Sequence, residues 1–373
     1  MNNYMDYLGL APYVQTKEEK KKILTARSVE LMRHHMEHCN SYRKMMNAKG
    51  IDDTALAEYD GVTKTYEDMP FLPVRLFKEL ELRSVPTEDI VKTMTSSGTS
   101  GQAVSKIFLN KNTASNQQKV MVKIVSDFTG SARMPMLILD CPSVVKNRKL
   151  FSARGAGILG FSIFGSDRTY ALRDEDMSLD IDAVAAFLDR HKEEPVLLFG
   201  FTFMIWQHFY KELVRFKNSG KIFDLAKGIL IHGGGWKKLA AEAVSPSEFK
   251  EKLHDVCNIK RVHDYYGMVE QTGCIYMECE YGHLHASVFS DVIARRASDF
   301  SICGNGEKGI LQVVSSIPES YPGHSLLTED EGIVLGEDDC PCGRKGKYFK
   351  IIGRIKNAEI RGCSDTYAAN FNK

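Results

Sequence analysis

The sequence predicts an α/β protein whose sheet is at least partly parallel, followed by a β-rich part. Three observations carry this expectation. Between residues 134 and 266, strand-forming runs alternate with segments of helical period. Residues 17–47 are charged and periodic, as helices are. The last hundred or so residues are rich in strand and turn signals.

In chain order, Ile23, Leu24, Val29, Leu31 and Met32 are the inward positions of one or two helices that end near Gly50. "YEDMPFLPVRLFKEL" (66–80) contains Pro70 and Pro73, so it runs extended before it can become helical. Residues 111–128 form a helix, 134–142 a short buried strand and 181–194 a helix that stops before Pro195. "VLLFGF" (196–201) is a strand and 203–216 an amphipathic helix. "GILIHGGGW" (228–236) is a strand running into glycines, and 247–257 is a helix leading to a strand that ends in "DYYGMVE" (264–270).

Composition narrows the class. The formal net charge is +1, which argues against a nucleic-acid binder. No apolar run is long enough to span a bilayer, and the N-terminus does not read as an export signal. Nine scattered cysteines then read as cytoplasmic thiols, metal ligands or a nucleophile.

The stretch "TSSGTSG" (Thr95, Ser96, Ser97, Gly98, Thr99, Ser100, Gly101) sits between strand-forming residues. Converging backbone N–H groups and hydroxyls can hold an anion, and glycine lets the backbone come close. Phosphate is the obvious guest. A P-loop needs a Gly-Lys-Ser/Thr ending and a helix directly after it. Here "AVSKIFL" follows, which alternates like a strand, so the expectation is a phosphate-gripping hairpin. An isolated loop of this composition is more often a plain surface hairpin.

Other segments change that balance. "TSSGTSG" resembles the phosphate-gripping signature of the adenylate-forming superfamily, the acyl-CoA synthetases, luciferases and their relatives. "HGGGW" (Gly233, Gly234, Gly235) resembles that family's glycine turn at the adenine pocket, and "DYYGMVE" resembles its Y-G-x-T-E segment. The resemblance implies that Tyr266 packs on adenine beside Gly267, and that Glu270 holds Mg²⁺. "LLTEDEG" (326–332) resembles the T-G-D element, which would put Asp330 on the ribose, and "IIGRIKNAEIRG" (351–362) resembles the G-R hinge, with Arg354 on the ribose and Lys356 near the hinge. Val269 stands where the family usually has a hydroxyl, Glu329 replaces a glycine, and Lys106 is displaced from the usual loop lysine.

The closest resemblance is to the LuxE-type acyl-protein synthetases, carried by "FLPVRLFKE", "FGFTFMIWQHFY" and "GRIKNAEIRGC". It implies ATP-dependent activation of a fatty or other carboxylic acid as acyl-AMP, then transfer to a cysteine near the C-terminus. Cys363 is the position that matches. A partner reductase would receive the acyl group. It also implies the fold: an adenylate-forming-enzyme large domain with mixed sheets flanked by helices, and the lysine-bearing C-terminal domain reduced to a short tail. The expected divisions are 1–92, a helical and extended region; 93–350, the nucleotide- and acyl-binding α/β domain; and 351–373, hinge and tail. Phe199, Gly200 and Thr202 are candidates for the apolar acyl pocket.

Cys279, His285, Cys340 and Cys342 form two short-range pairs that could hold a structural zinc, as the phenylacetate-CoA ligase branch has in some members. His283 competes with His285, and reduced thiols in turns are the plain alternative. Two other functions stay open: a phenylacetate-type acyl-CoA ligase, and a non-catalytic nucleotide-binding module.

Overall fold

The computed structural model describes residues 4–96, 103–145 and 153–355. Thr16 opens the helix Lys17–His38 with a capping box, its side chain accepting from the Glu19 N–H while Glu19 reaches back. Leu24, Val29, Leu31 and Met32 are buried and Ile23 is partly so. A second helix, Asn40–Ala48, follows, so 17–47 is two helices.

The strands are β1 (Leu72–Pro73), β2 (Lys92–Thr95), β3 (Lys106–Leu109), β4 (Met134–Ile138), β5 (Gly165–Tyr170), β6 (Val196–Phe201), β7 (Gly228–Gly233), β8 (Arg261–Tyr266), β9 (Tyr276–Glu278), β10 (Leu284–His285), β11 (Ser290–Arg295), β12 (Lys308–Ser315), β13 (Ser325–Glu337) and β14 (Lys347–Arg354). β2 and β3 pair with each other. The rest join one sheet of order β11-β12-β13-β14-β10-β9-β8-β7-β6-β4-β5, with β1 added in parallel on β13.

The sheet is mixed. β5, β4, β6, β7 and β8 are parallel, linked by crossovers that include the helices Ala153–Phe161, Ile181–Arg190, Lys211–Asn218 and Pro246–Cys257. From β8 onward the pairing is antiparallel. Every residue of β4, β6 and β7 is buried, as expected of parallel strands covered on both faces. One apolar core lies along this parallel half. A second lies between the antiparallel half and the N-terminal helices, around Leu24, Met32, Tyr66, Phe77 and Phe349.

Two expected elements differ in detail. β7 stops at Gly233 because Gly234 takes φ +78°, which no strand continues. The helix expected over 203–216 is interrupted by a π-helical segment, Ile205–Tyr210. Among the described residues no helix is long and apolar enough to cross a membrane.

Candidate active site

The Ser/Thr/Gly stretch lies between antiparallel strands, with Lys92 opposite Leu109 and Thr95 opposite Lys106. It is thus a hairpin connection and not the strand-to-helix turn of a P-loop. At its base the Ser96 N–H donates to the Ser105 carbonyl at 3.1 Å, and the Ser105 N–H donates to Ser96 Oγ at 2.9 Å. Ser97, Gly98, Thr99, Ser100 and Gly101 lie outside the described residues, as do Lys356 and Cys363.

β7 and β8 end side by side, His232 across from Asp264 and Gly233 across from Tyr265. A Cβ on Gly233 would lie 2.5 Å from the Tyr265 ring, so only glycine allows this approach. Gly235 faces open space, and Gly267 follows β8 directly. Successive strand residues point to opposite faces, so Tyr265 and Tyr266 diverge. Tyr265 lies over the glycine turn. Tyr266 instead donates from its phenol to Asp330 Oδ2 at 2.8 Å. Burial and the neighbouring Asp330 carboxylate hold that phenol well above its usual range.

Asp330 pairs with Arg354 across β13 and β14. Arg354 Nε stands 3.4 Å from Asp330 Oδ1, and Nη2 lies 3.1 Å from Glu329 Oε2. Three segments far apart in the chain thus bring Tyr266, Asp330 and Arg354 together. Glu329 is held by Arg354 and by Arg75 Nε at 3.4 Å. Arg75 lies in "FLPVRLFKE", but nothing in its spacing links it to residue 329; the parallel pairing of β1 with β13 does.

Glu270 sits in the turn Val269–Gln271 with no exposed surface. The turn is fixed by Gln271, whose amide donates to the Val313 and Gly323 carbonyls at 3.0 and 2.9 Å. A carboxylate oxygen is the kind of ligand Mg²⁺ takes. Mg²⁺ there would be held from the same turn that follows Tyr266.

Of the residues expected in the acyl pocket, Phe199 is fully buried, its ring stacked on Phe161 at 4.2 Å. A Cβ on Gly200 would meet Leu139 Cβ at 2.9 Å. The Thr202 hydroxyl donates to the Gly233 carbonyl at 3.3 Å and lies 3.0 Å from His232 Nδ1, so it braces the glycine turn from below.

Cys279, His285, Cys340 and Cys342 come together with their ligand atoms all within 4.8 Å of one another. Cys279 Sγ and Cys340 Sγ are 3.9 Å apart, and Cys342 Sγ is 3.4 Å from His285 Nε2. Tetrahedral zinc with bonds of about 2.3 Å to sulfur and about 2.0 Å to nitrogen needs separations of about 3.8 and 3.5 Å. The donor set therefore fits zinc. Burial holds the Cys340 thiol above its usual range, so a thiolate there requires a cation. His283 Nδ1 stands 3.3 Å from Cys340 Sγ, beside the cluster. A zinc here would clasp the β9–β10 connection to the turn between β13 and β14.

A family model described as acyl-protein synthetase, LuxE, matches residues 5–372. The chain belongs to the LuxE acyl-protein synthetase family. It is a ligase of the ATP-dependent, acid-activating kind. Among related LuxE proteins, the long-chain-fatty-acid–luciferin-component ligase of Vibrio harveyi is 22% identical over 379 residues, covering 98% of this chain and 93% of its own. The protein of the same name from Aliivibrio fischeri is 21% identical, covering 95% of this chain and 90% of its own. In fold, this LuxE-family chain resembles solved structures of 2-hydroxyisobutyryl-CoA ligase. The thioesterification-state complex with 2-HIB-AMP and CoA gives a TM-score of 0.66 at 15% identity, over 97% of this chain and 74% of the other. A postadenylation-state complex with 2-HIB-AMP also gives 0.66, at 14% identity, over 94% and 71%. The fold is that of an adenylate-forming ligase, mixed sheet, flanking helices and β-rich C-terminal part included.

Proposed function

We propose that this protein activates a fatty acid with ATP and Mg²⁺, passes the acyl group to its own Cys363, and delivers it to a cysteine of a partner reductase. The reading is carried by one observation: Tyr266, Asp330 and Arg354 meet at the ends of β8, β13 and β14, in a chain of the acyl-protein synthetase family. The names of the Vibrio harveyi and Aliivibrio fischeri relatives support a long-chain acid as the class of substrate. A cytoplasmic location belongs to the same reading.

A carboxylate is a poor electrophile, and its oxygen is a poor leaving group. Attack of the acid's carboxylate oxygen on the α-phosphate of ATP forms acyl-AMP and expels pyrophosphate. Little proton transfer is needed, so the protein's work is to hold negative charge and to align the attack. On this reading the donors of 95–101 hold the phosphates, Tyr266 packs on the base, and Asp330 with Arg354 holds the ribose. Bound at Glu270, Mg²⁺ would offset phosphate charge. The Cys363 thiolate then attacks the acyl carbonyl and AMP leaves. A zinc held by Cys279, His285, Cys340 and Cys342 would be structural.

The test supplies ATP, Mg²⁺ and radiolabelled fatty acid and asks where label is held. Hydroxylamine-labile label on the wild-type protein, absent from Cys363→Ala while pyrophosphate release persists, is the expected result. Label retained in Cys363→Ala removes the cysteine step, and product formed only with free coenzyme A replaces it with an acyl-CoA ligase.

A further inference from the structure

Arg75 and Glu329 stand beside the group of Tyr266, Asp330 and Arg354, yet the reaction described above gives them no part. β13 explains how they come there. Along one edge it pairs with β12. Along the other, β14 covers Asp330 to Glu337 and β1 covers Leu326 and Leu327. Thr328 and Glu329 therefore lie in the gap between the end of β14 and β1. Both flanking segments are tied to this gap. The Ile355 N–H donates to the Glu329 carbonyl at 3.0 Å, and the Val74 N–H donates to the Leu327 carbonyl at 2.9 Å.

The gap coincides with a bulge. Gln312 faces Leu327 and Ile310 faces Glu331, so Thr328, Glu329 and Asp330 together oppose Leu311 alone. In a regular strand Glu329 and Asp330 would point to opposite faces of the sheet. A bulge re-aims side chains, and here both carboxylates reach the guanidinium of Arg354. Thr328 pins the bulge: its hydroxyl donates to the Leu311 carbonyl at 2.7 Å and accepts from the Asp330 N–H at 3.1 Å.

The distances show how Arg354 is shared. Nη2 lies 3.1 Å from Glu329 Oε2, whereas Nε lies 3.4 Å from Asp330 Oδ1. A guanidinium facing one carboxylate favours two parallel bonds of about 2.8 Å. Arg354 approaches Asp330 more loosely and from one side, because Glu329 draws it. Arg75 Nε, 3.4 Å from Glu329 Oε1, holds Glu329 from the far side. Cations and anions thus alternate in the row Arg75, Glu329, Arg354, Asp330, which Tyr266 closes on Asp330 Oδ2. The Arg75 side chain is 49% exposed, and an ion pair this open adds little stability. What it fixes is direction. Arg354 and Asp330 keep 33% and 18% of their side-chain surface exposed, so a ligand can reach them.

We propose that Arg75 and Glu329 are positioning residues for the nucleotide: they hold the Arg354 guanidinium off Asp330, and so keep an Asp330 oxygen open to a ribose hydroxyl. A hydroxyl donates to a carboxylate and accepts from a guanidinium, and this arrangement offers both. Without the Glu329 charge, Arg354 closes on Asp330 with two bonds, and the acceptor is used up within the protein. The inference rests on the nucleotide site proposed above.

The test is equilibrium binding of ATP, 2′-deoxy-ATP and 3′-deoxy-ATP to the full chain by calorimetry, without acid. The wild type is expected to bind ATP about tenfold tighter than at least one of the deoxy nucleotides. Glu329→Gln keeps the shape and removes the charge. It should bind ATP about tenfold more weakly and the deoxy nucleotides much as the wild type does, so the preference collapses. A residue that merely stabilised the fold would weaken all three alike. Arg75→Met should weaken ATP binding in the wild-type background and add nothing in Glu329→Gln. A ribose preference that survives in a folded Glu329→Gln protein overturns the inference, as does a wild type with no such preference. So does an Arg75→Met loss that is equal in both backgrounds, since Arg75 would then only attract phosphate charge. No nucleotide binding by the wild type is a different failure: it removes the nucleotide site, and this inference with it.

Discussion

Tyr266 donates its phenol proton to Asp330, 64 residues further along the chain, and so ties the last parallel strand to the antiparallel half of the sheet. Asp330 in turn faces Arg354 at the end of β14. Tyr266→Phe deletes only the hydroxyl. The expected outcome is a loss of about 1 kcal/mol in unfolding free energy and a rise in the KM for ATP of roughly fivefold to tenfold, with the acid's KM unchanged. Steady-state kinetics and denaturant unfolding measure both. An unchanged KM for ATP would detach this contact from nucleotide binding.

Gly323→Ala probes the turn that carries Glu270 without touching its carboxylate. A Cβ on Gly323 would stand 2.8 Å from the Glu270 carbonyl oxygen and closer still to the Tyr321 ring, so the turn must shift. We expect a cost of about 1–3 kcal/mol and a fall in acid-dependent pyrophosphate release of roughly tenfold or more, partly recovered at high Mg²⁺. Full activity with the usual Mg²⁺ dependence would separate this turn from catalysis.

The Cys/His cluster predicts metal content. Protein purified without chelator should hold about one zinc per chain by mass spectrometry. Cys279→Ser should lose it, and with it on the order of 3 kcal/mol of stability. Zinc near zero in the wild type would return Cys279, Cys340 and Cys342 to reduced thiols in turns.

A pH dependence follows from two histidines that join the helix Lys17–His38 to the sheet. His35 and His324 stack at 5.2 Å, and both are buried. Burial, with Arg27 nearby, lowers His324 to about 3. A depressed histidine means that the unfolded chain binds the extra proton first. The stability is therefore fully present above the ordinary histidine value, about 6.5, and is lost as pH falls toward 3. For His324 the loss at pH of about 5 is about 2 kcal/mol. His324→Gln should flatten the acid limb of a stability–pH curve by that amount. Parallel limbs in the two proteins would contradict it.

Much of this architecture is legible in the sequence, because it is written in local patterns. "VLLFGF" reads as a strand over the same six residues that form β6. The hairpin reading of 95–101 needs only a strand after Gly101, and β3, paired antiparallel with β2, is that strand. Convergence of Cys279, His285, Cys340 and Cys342 is legible too, since each short pair forces one half of the cluster. What escapes is pairing between distant segments. Leu72–Pro73 is too short to announce a strand, yet it brings Arg75 to Glu329. Asp140 and Arg154 are 14 positions apart with no periodic relation, and only the β4 crossover brings them face to face. Phe199 shows the converse: an aromatic in a buried strand reads equally as pocket wall or as core, and its ring lies stacked on Phe161.

The most direct test of the central claim is acid-dependent ATP–pyrophosphate exchange in the wild type and in Glu270→Gln. The account predicts Mg²⁺-dependent exchange in the wild type and a fall of roughly a hundredfold to a thousandfold in Glu270→Gln, with little change in unfolding temperature. Equal exchange in the two proteins, or none with any carboxylic acid, would contradict it.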